Sequence, residues 1–254
     1  MTLQFFGGLF PSLTVFVMLC AATACAGAFR SFAGFGGGLM LAPLYGLFMP
    51  PTDVLVVLLL LNLVTTVQML PQVLKSVQWK LVISLAVPSL FGIPLGLLAL
   101  HFIDPMSMRK LIAAIVTVMS AILLTGWCYK GRRGHLQNGI AGLTSGSLTA
   151  IGAIGGPPVI LYLLSSKDYG PTVLRSVFIA YFGIAIVATL TPLLFMGSIT
   201  MAQAAHAASL LPVYLLATAV GTIAHQRMAG SDDGSIRRIS LLVLLAIGVV
   251  TFFV

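Results

Sequence analysis

Charged residues are scarce in this sequence. Asp, Glu, Lys and Arg together make up 7% of the 254 residues, whereas hydrophobic residues make up 59%. A soluble domain carries roughly a quarter charged residues, so this composition excludes a fold whose surface faces water. Successive apolar runs of about 20 residues, each long enough to cross a hydrocarbon core ~30 Å thick, account for nearly the whole chain. The sequence therefore predicts an all-α integral membrane protein.

Acidic residues are scarcer still. The chain has no glutamate, and its five aspartates lie in or beside predicted loops: Asp53, Asp104, Asp168, Asp232 and Asp233. Many proton- and sodium-coupled carriers use a carboxylate within the membrane, and only Asp53, at the edge of an apolar segment, could fill that place. Coupling therefore uses other groups, or the protein is a uniporter or a channel. A membrane site without a carboxylate suits an anion.

Patterns that indicate metal binding, redox chemistry or catalysis are also missing. The three cysteines (Cys20, Cys25 and Cys128) lack the C-x-x-C spacing of zinc and redox sites. No H-x-x-x-H or H-E-x-x-H pattern occurs, and no serine and histidine are arranged for nucleophilic catalysis. His206, near a helix end, is interpreted as structural, with proton coupling as the alternative. We expect no metal, no cofactor and no enzymatic activity.

The chain divides into ten apolar segments. Two of them, 38–49 and 155–165, are too short to cross a membrane alone, and each follows a glycine-rich break, at 34–38 and 152–158. The segments lie at roughly 10–28, 38–49, 53–73, 80–100, 108–129, 137–151, 155–165, 173–197, 203–224 and 237–254.

The two breaks belong to an internal repeat with an offset of about 120 residues. Residues 35–38 match 154–157, Pro51-Thr52 matches Pro171-Thr172, and Pro88 matches Pro212, all in the same order. Chance matching of common glycines and prolines is the alternative explanation. The repeat predicts a first membrane half at 1–129, a basic cytoplasmic linker at 130–136 and a second membrane half at 137–254.

Basic residues set the orientation of these segments. If the segments alternate across the membrane, one side receives only Arg109 and Lys110. The preference of Lys and Arg for the cytoplasm makes the richer side cytoplasmic and places both termini outside. Five segments per half, an odd number, give the halves inverted topologies, as in many secondary transporters. The richer side receives Arg30, Lys75, Lys80, Lys130, Arg132, Arg133, Lys167, Arg175, Arg227, Arg237 and Arg238.

This distribution also explains the net charge of +8. In a soluble protein such a charge would indicate nucleic-acid binding, but here the basic residues occupy short loops beside a membrane. We expect the lipid bilayer as a partner, no nucleic acid, and a location in the cell membrane, which in a bacterium is the inner membrane. The oligomeric state is left open, a homo-oligomer included.

Consecutive glycines interrupt a helix. Each break therefore predicts either a discontinuous helix or a re-entrant hairpin, which a membrane tolerates only inside protein or along a wet cavity. Inversion brings the two breaks together near the midplane, where N–H groups at the helix N-termini can face an anion. The predicted binding residues here are Gly36, Gly37, Gly38, Gly155 and Gly156. Close helix packing is the alternative, but it favours glycines about four residues apart.

Arg30 and Ser31 precede the first break, with no acidic residue nearby in sequence. An ionisable residue within the membrane is costly and is usually functional, and an arginine binds anions through charge-assisted hydrogen bonds. We therefore predict that both residues contact the substrate. The alternative is an arginine at a helix end whose guanidinium reaches the cytoplasmic surface.

Polar residues elsewhere in the apolar segments complete the predicted site. Asn62 and Thr66 are four residues apart and share one helix face, Thr149 precedes the second break, and Tyr181 lies near the repeat position equivalent to Asn62. We assign all four to substrate binding. Hydrogen bonding between helices is an equally good explanation for such residues.

Several motifs resemble the sulfite exporter TauE/SafE family of membrane transporters. They are GAFRSFAGFGGGL at 27–39 with Pro43 and Asn62, and in the second half GLTSG at 142–146 and GGPP at 155–158. The resemblance spans essentially the whole chain and implies transport of sulfite, an organosulfonate or a related sulfur-containing anion, in either direction. A passive anion channel remains the main alternative, and a membrane enzyme or assembly factor a weaker one.

Overall fold

The protein is a bundle of α-helices. The structure, a computed structural model, describes residues 9–126, 129, 131, 134–163 and 169–228, and these contain helices and no strand. Nine predicted segments fall on these helices, and the tenth, 237–254, lies outside the described residues. A 3₁₀ turn, Leu74–Ser76, follows the third helix. The helices are α1 (Leu13–Ala33), α2 (Gly37–Gly46), α3 (Pro51–Val73), α4 (Trp79–Phe102), α5 (Pro105–Leu124), α6 (His135–Gly152), α7 (Gly156–Leu163), α8 (Pro171–Phe195) and α9 (Met201–Met228).

Six of the described helices are long and apolar enough to cross a membrane: α1, α3, α4, α5, α8 and α9. They contain 20 to 28 residues, which at 1.5 Å per residue gives about 30–42 Å. Large apolar side chains such as Phe91, Phe102 and Phe195 cover their outward faces, as lipid contact requires. The prediction of a multi-pass, all-helical membrane protein is confirmed.

Local sequence signals explain several helix boundaries. The Ser12 side chain accepts a hydrogen bond from the Val15 N–H and caps α1, and the Asp104 carboxylate does the same for α5 through the Ser107 N–H. Proline occupies the first position of α3, α5 and α8, where its missing N–H leaves no bond unmade. The α1 helix ends at Gly34, whose φ of 79° favours glycine.

Helices α1–α5 make extensive contacts with helices α6–α9. Helix α4 packs along α6, and α1 packs along α9. Glycines bring the backbones of α4 and α6 together, because a methyl group on Gly92, Gly96, Gly142 or Gly146 would lie 2.0–2.3 Å from a carbonyl oxygen of the facing helix. Small residues allow this close approach between membrane helices.

The two short helices each turn back along the helix that precedes them. Tyr45, near the end of α2, shares a hydrogen bond of 2.6 Å between its hydroxyl and that of Thr23 in the middle of α1. Tyr162, near the end of α7, donates a hydrogen bond to Asn138 near the start of α6. Helices α1 and α2 therefore run antiparallel, as do α6 and α7.

The starts of α1, α3 and α9 and the residues after α2 lie together at one end of the bundle, called here the α1 end. A cavity of about 350 Å³ joins them, lined by residues that include Phe10, Phe48, Asp53 and His206. At the opposite end, the α6 end, Asn138 donates to Ser84 near the start of α4. Helix α8 also begins at the α6 end, since its early residues pack against the end of α3.

Candidate functional site

The two glycine-rich breaks meet inside the bundle. A Cβ atom placed on Gly38 would lie 2.0 Å from the Ala153 carbonyl oxygen, so the two backbones are in contact. Ala153 closes α6 in the left-handed conformation, with a φ of 57°, and it is the one described residue other than glycine with a positive φ. Such a residue stores strain that its surroundings must maintain.

A small cavity lies where the breaks meet. Its volume is about 30 Å³, which holds about two water molecules. Several of its walls come from the middle of membrane-length helices, which places it well away from either end of the bundle. The lining residues are Arg30, Gly36, Gly38, Leu39, Asn62, Thr149, Ala153, Gly156, Phe182 and Ile186.

Arg30 is the charged residue of this cavity, and only 3% of its surface is exposed. Its Nη2 donates to the Thr66 hydroxyl at 2.6 Å and, at 3.4 Å, to the Asn62 carbonyl oxygen. Its Nε is buried and has no hydrogen-bond partner among the described residues. The guanidinium therefore lies inside the protein and not on its outer surface.

The two described aspartates form hydrogen bonds outside the central cavity. Asp53 accepts a hydrogen bond of 2.6 Å from Gln203 at the α1 end, and Asp104 caps α5. Neither is bonded to Arg30, so no carboxylate of the described residues neutralises the guanidinium by direct contact. A buried charge without an opposite charge beside it is costly, and an anion in this cavity would reduce that cost.

Asn62, Thr66 and Tyr214 form a buried hydrogen-bond network beside Arg30. Tyr214 donates to the Asn62 side-chain oxygen at 3.0 Å, and the Asn62 amide donates to the Leu58 carbonyl oxygen at 2.8 Å. Thr66 accepts from Arg30 and donates to the Asn62 carbonyl oxygen at 2.7 Å. These bonds use one of the two N–H groups of the Asn62 side-chain amide and do not involve the other. Gly37 lies against this network, because a Cβ there would meet the Tyr214 hydroxyl.

The N-termini of the two short helices differ as hydrogen-bond donors. The first four N–H groups of a helix lack partners within it, and α2 begins with Gly36 as a cap that offers no side chain. Helix α7 begins Gly156-Pro157-Pro158, and proline has no N–H. The first break therefore supplies most of the N–H donors, and the second supplies mainly the positive end of a helix dipole.

Three of the predicted site residues lie away from the central cavity. The Ser31 hydroxyl donates to Ala28 and faces Gly221 of α9. Gly155 packs onto Thr149 and accepts a hydrogen bond from Ser145. Tyr181 is fully buried beside Ser145 and Ser89, and its hydroxyl has no hydrogen bond of good geometry among the described residues. Of the other eight, six line the cavity, and Gly37 and Thr66 contact the Arg30 side chain.

Sequence comparison decides the family. A model of the family described as "Sulfite exporter TauE/SafE" matches residues 19–251, which include both breaks and the linker. The chain belongs to the sulfite exporter TauE/SafE family. This confirms the family resemblance and makes the protein a member of a family of membrane transporters. No individual curated protein and no solved structure matched the chain.

Within this TauE/SafE chain, the sequence alone missed five residues of the site, one of which, Leu39, lines the cavity directly after Gly38. Tyr214 completes the Asn62 network, Phe182 and Ile186 form an apolar wall, and Ala153 provides the backbone contact between the breaks. Tyr214 could have been noticed as a tyrosine in an apolar segment, two residues after the repeat landmark Pro212. The phenylalanine, isoleucine and alanine carry no signal in a chain this apolar.

Proposed function

We propose that this TauE/SafE protein is a secondary transporter for a small sulfur-containing oxyanion, which binds in the central cavity. The observation that carries the proposal is the buried Arg30 guanidinium, whose Nε lacks a partner among the described residues, beside the uncapped N-terminus of α2. Arg30 and the glycines at that N-terminus, Gly36 and Gly38, line the same cavity. Sulfite and organosulfonates offer several oxygens on one centre, which such donors bind by charge-assisted hydrogen bonds.

The size of the cavity favours the smaller anions of this class. With room for about two water molecules, it accepts sulfite only if its walls separate slightly, and a sulfonate with a long organic tail needs a much larger opening. The apolar wall of Phe182 and Ile186 offers a surface for a methyl or other short tail. We therefore expect sulfite and the smallest sulfonates to bind more tightly than larger ones.

We further propose that the halves are inverted repeats and that each break is the tip of a re-entrant hairpin. The antiparallel packing of α1 with α2 and of α6 with α7 supports the hairpins. In the repeat, α1 corresponds to α6 and α4 corresponds to α9. The contact of α1 with α9 therefore has its counterpart in the contact of α4 with α6, which supports the repeat. Alternating access then consists of movement of the hairpin tips about a fixed central site.

Reporter fusions test the orientation. We expect a fusion within 130–136 to report the cytoplasm and fusions at both termini to report the outer side. Even with the buried Arg30 left out, ten basic residues lie on the predicted cytoplasmic side and only Arg109 and Lys110 on the other. A matched pair of fusions after Ser76 and after Phe102 should report opposite sides, since α4 joins these points. A cytoplasmic C-terminus contradicts the arrangement of five segments per half.

A ligand screen tests the substrate class. Purified protein should show a rise in melting temperature with sulfite and short sulfonates, and a smaller rise with small carboxylates, because binding to the native state stabilises it. In proteoliposomes, uptake of the stabilising anion should saturate and should accelerate when the same anion is present on the far side. Flux that neither saturates nor responds to the far side indicates a passive channel instead. No stabilisation by any sulfur oxyanion removes the proposed substrate.

A further inference from the structure

Arg175, on the second turn of α8, bonds to the end of α1 across the interface between the two halves. Its Nε and Nη2 both donate to the carbonyl oxygen of Ser31, at 3.0 Å and 2.7 Å. Its side chain also lies against Gly34, where an added Cβ would be 3.0 Å from Arg175 Cγ. A residue of the second half thus holds the tip of the first break, immediately after Arg30.

The partner of Arg175 is a poor match for its donors. A guanidinium presents two parallel N–H groups, and it binds best to a group with two oxygens, such as a carboxylate or another oxyanion. Here both N–H groups converge on one neutral carbonyl oxygen. An oxyanion with two oxygens offers each donor its own acceptor as well as an opposite charge, so it can displace the carbonyl.

Aromatic side chains connect Arg175 with the central cavity. Arg175, Phe178 and Phe182 follow one another on one face of α8, at helical spacing, and Phe182 lines the cavity. The rings of Phe178 and Phe182 are stacked with centroids 6.4 Å apart. Phe35, in the first break, packs edge-on against Phe178 at 5.3 Å and against Phe29 at 5.9 Å. All four rings are buried, and Phe178 lies between Arg175 and Phe182 along this face of α8.

We propose that Arg175 is a second anion-contacting residue, located between the α6 end and the central cavity. An arriving or departing oxyanion takes the two N–H donors from the Ser31 carbonyl. The tip of the first break is then released from α8, and Phe35 can move with it away from Phe178. Binding at Arg175 thereby opens the aromatic barrier in front of Arg30. This inference rests on the proposed function, because it assigns Arg175 to the path of the same anion.

Flux measurements on Arg175 variants test this role. In proteoliposomes, Arg175→Gln should raise the KM for the anion presented at the α6 end about tenfold or more, with a smaller change in the maximal rate. The equilibrium affinity of the central site should change less than threefold. Arg175→Lys keeps the charge but loses the paired donors, so its KM should fall between those of the glutamine variant and the wild type. Arg109→Gln, at a partly buried arginine of α5, is the matched control and should leave KM unchanged.

The outcomes separate this inference from the proposed function. If Arg30→Gln abolishes anion binding while both Arg175 variants keep the wild-type KM, Arg175 contacts no anion and the inference fails alone. If the Arg175 variants lose maximal rate and thermal stability with KM unchanged, Arg175 has only a structural role and the inference also fails. If Arg30→Gln binds every anion normally, the central site itself is wrong. Where Arg175→Gln does not fold, the KM of Arg175→Lys decides the same question.

Discussion

Replacing Arg30 by glutamine should weaken binding of the transported anion by about 100-fold or more. The guanidinium supplies the positive charge of the cavity, and losing its charge-assisted hydrogen bonds removes about 3 kcal/mol of binding free energy. Titration calorimetry on purified protein, or the shift in melting temperature with added sulfite, measures the change. Arg109→Gln again serves as the control, because it removes the same charge from a partly buried arginine outside the central cavity.

Without ligand, the Arg30→Gln variant should be at least as stable as the wild type, although it binds the anion more weakly. The wild-type guanidinium is buried without a described carboxylate beside it, and an uncompensated charge destabilises the membrane-embedded fold. A neutral glutamine removes that cost, so the melting temperature without ligand should stay the same or rise. Unchanged affinity for every transported anion rules out Arg30 as the binding residue, and a collapse in stability marks it as a structural one.

Replacing Gly38 by alanine should disrupt the meeting of the two breaks. The new methyl group would lie 2.0 Å from the Ala153 carbonyl oxygen, and this oxygen belongs to a backbone that cannot turn aside as a flexible side chain would. Overpacking of this kind typically costs 1–3 kcal/mol; we expect about 3 kcal/mol here, with at least a tenfold loss of transport. Thermal unfolding in detergent and uptake into proteoliposomes measure the two effects.

Gly46 provides the control for Gly38, since it lies in the same short helix. A Cβ at Gly46 has its nearest neighbour, Arg109 Cγ, at 3.8 Å, which is ordinary van der Waals contact. Gly46→Ala should therefore be neutral, or slightly stabilising because alanine favours the helix more than glycine does. Equal and wild-type stability of both variants contradicts the contact between Gly38 and Ala153.

Much of the fold could be predicted because a membrane restricts which backbone structures a chain can adopt. A run of apolar residues must become a helix there, since no other local structure satisfies its backbone. The consecutive glycines at 36–38 and the Gly-Gly-Pro-Pro at 155–158 interrupt the apolar runs, and these interruptions can be recognised in the sequence. The inverted repeat predicted that the two breaks meet, and the structure places Gly38 directly against Ala153. The burial of Arg30 was one of two alternatives, which the sequence left open.

The rest of the site depends on contacts between distant parts of the chain. Tyr214 reaches Asn62 from α9, and Arg175 reaches Ser31 from α8; no local pattern indicates either pair. Tyr181 was assigned to the site by its repeat position, but it lies one residue before Phe182, and adjacent residues on a helix point in different directions. Phe182 lines the cavity, and Tyr181 instead faces Ser89 and Ser145.

The packing of α1 against α9 also bears on how the chain is made. The chain between them takes roughly 10–40 s to synthesise at 5–20 residues per second, so α1 enters the membrane long before its main neighbour exists. Helix α3 follows α1 much sooner and carries Asn62 and Thr66, the two residues that bind Arg30. Arg30 can therefore form its hydrogen bonds with Asn62 and Thr66 while the chain is still being translated. The face of α1 around Gly27 packs against Tyr214 and Ala217 of α9, so it gains these neighbours only after α9 has been synthesised.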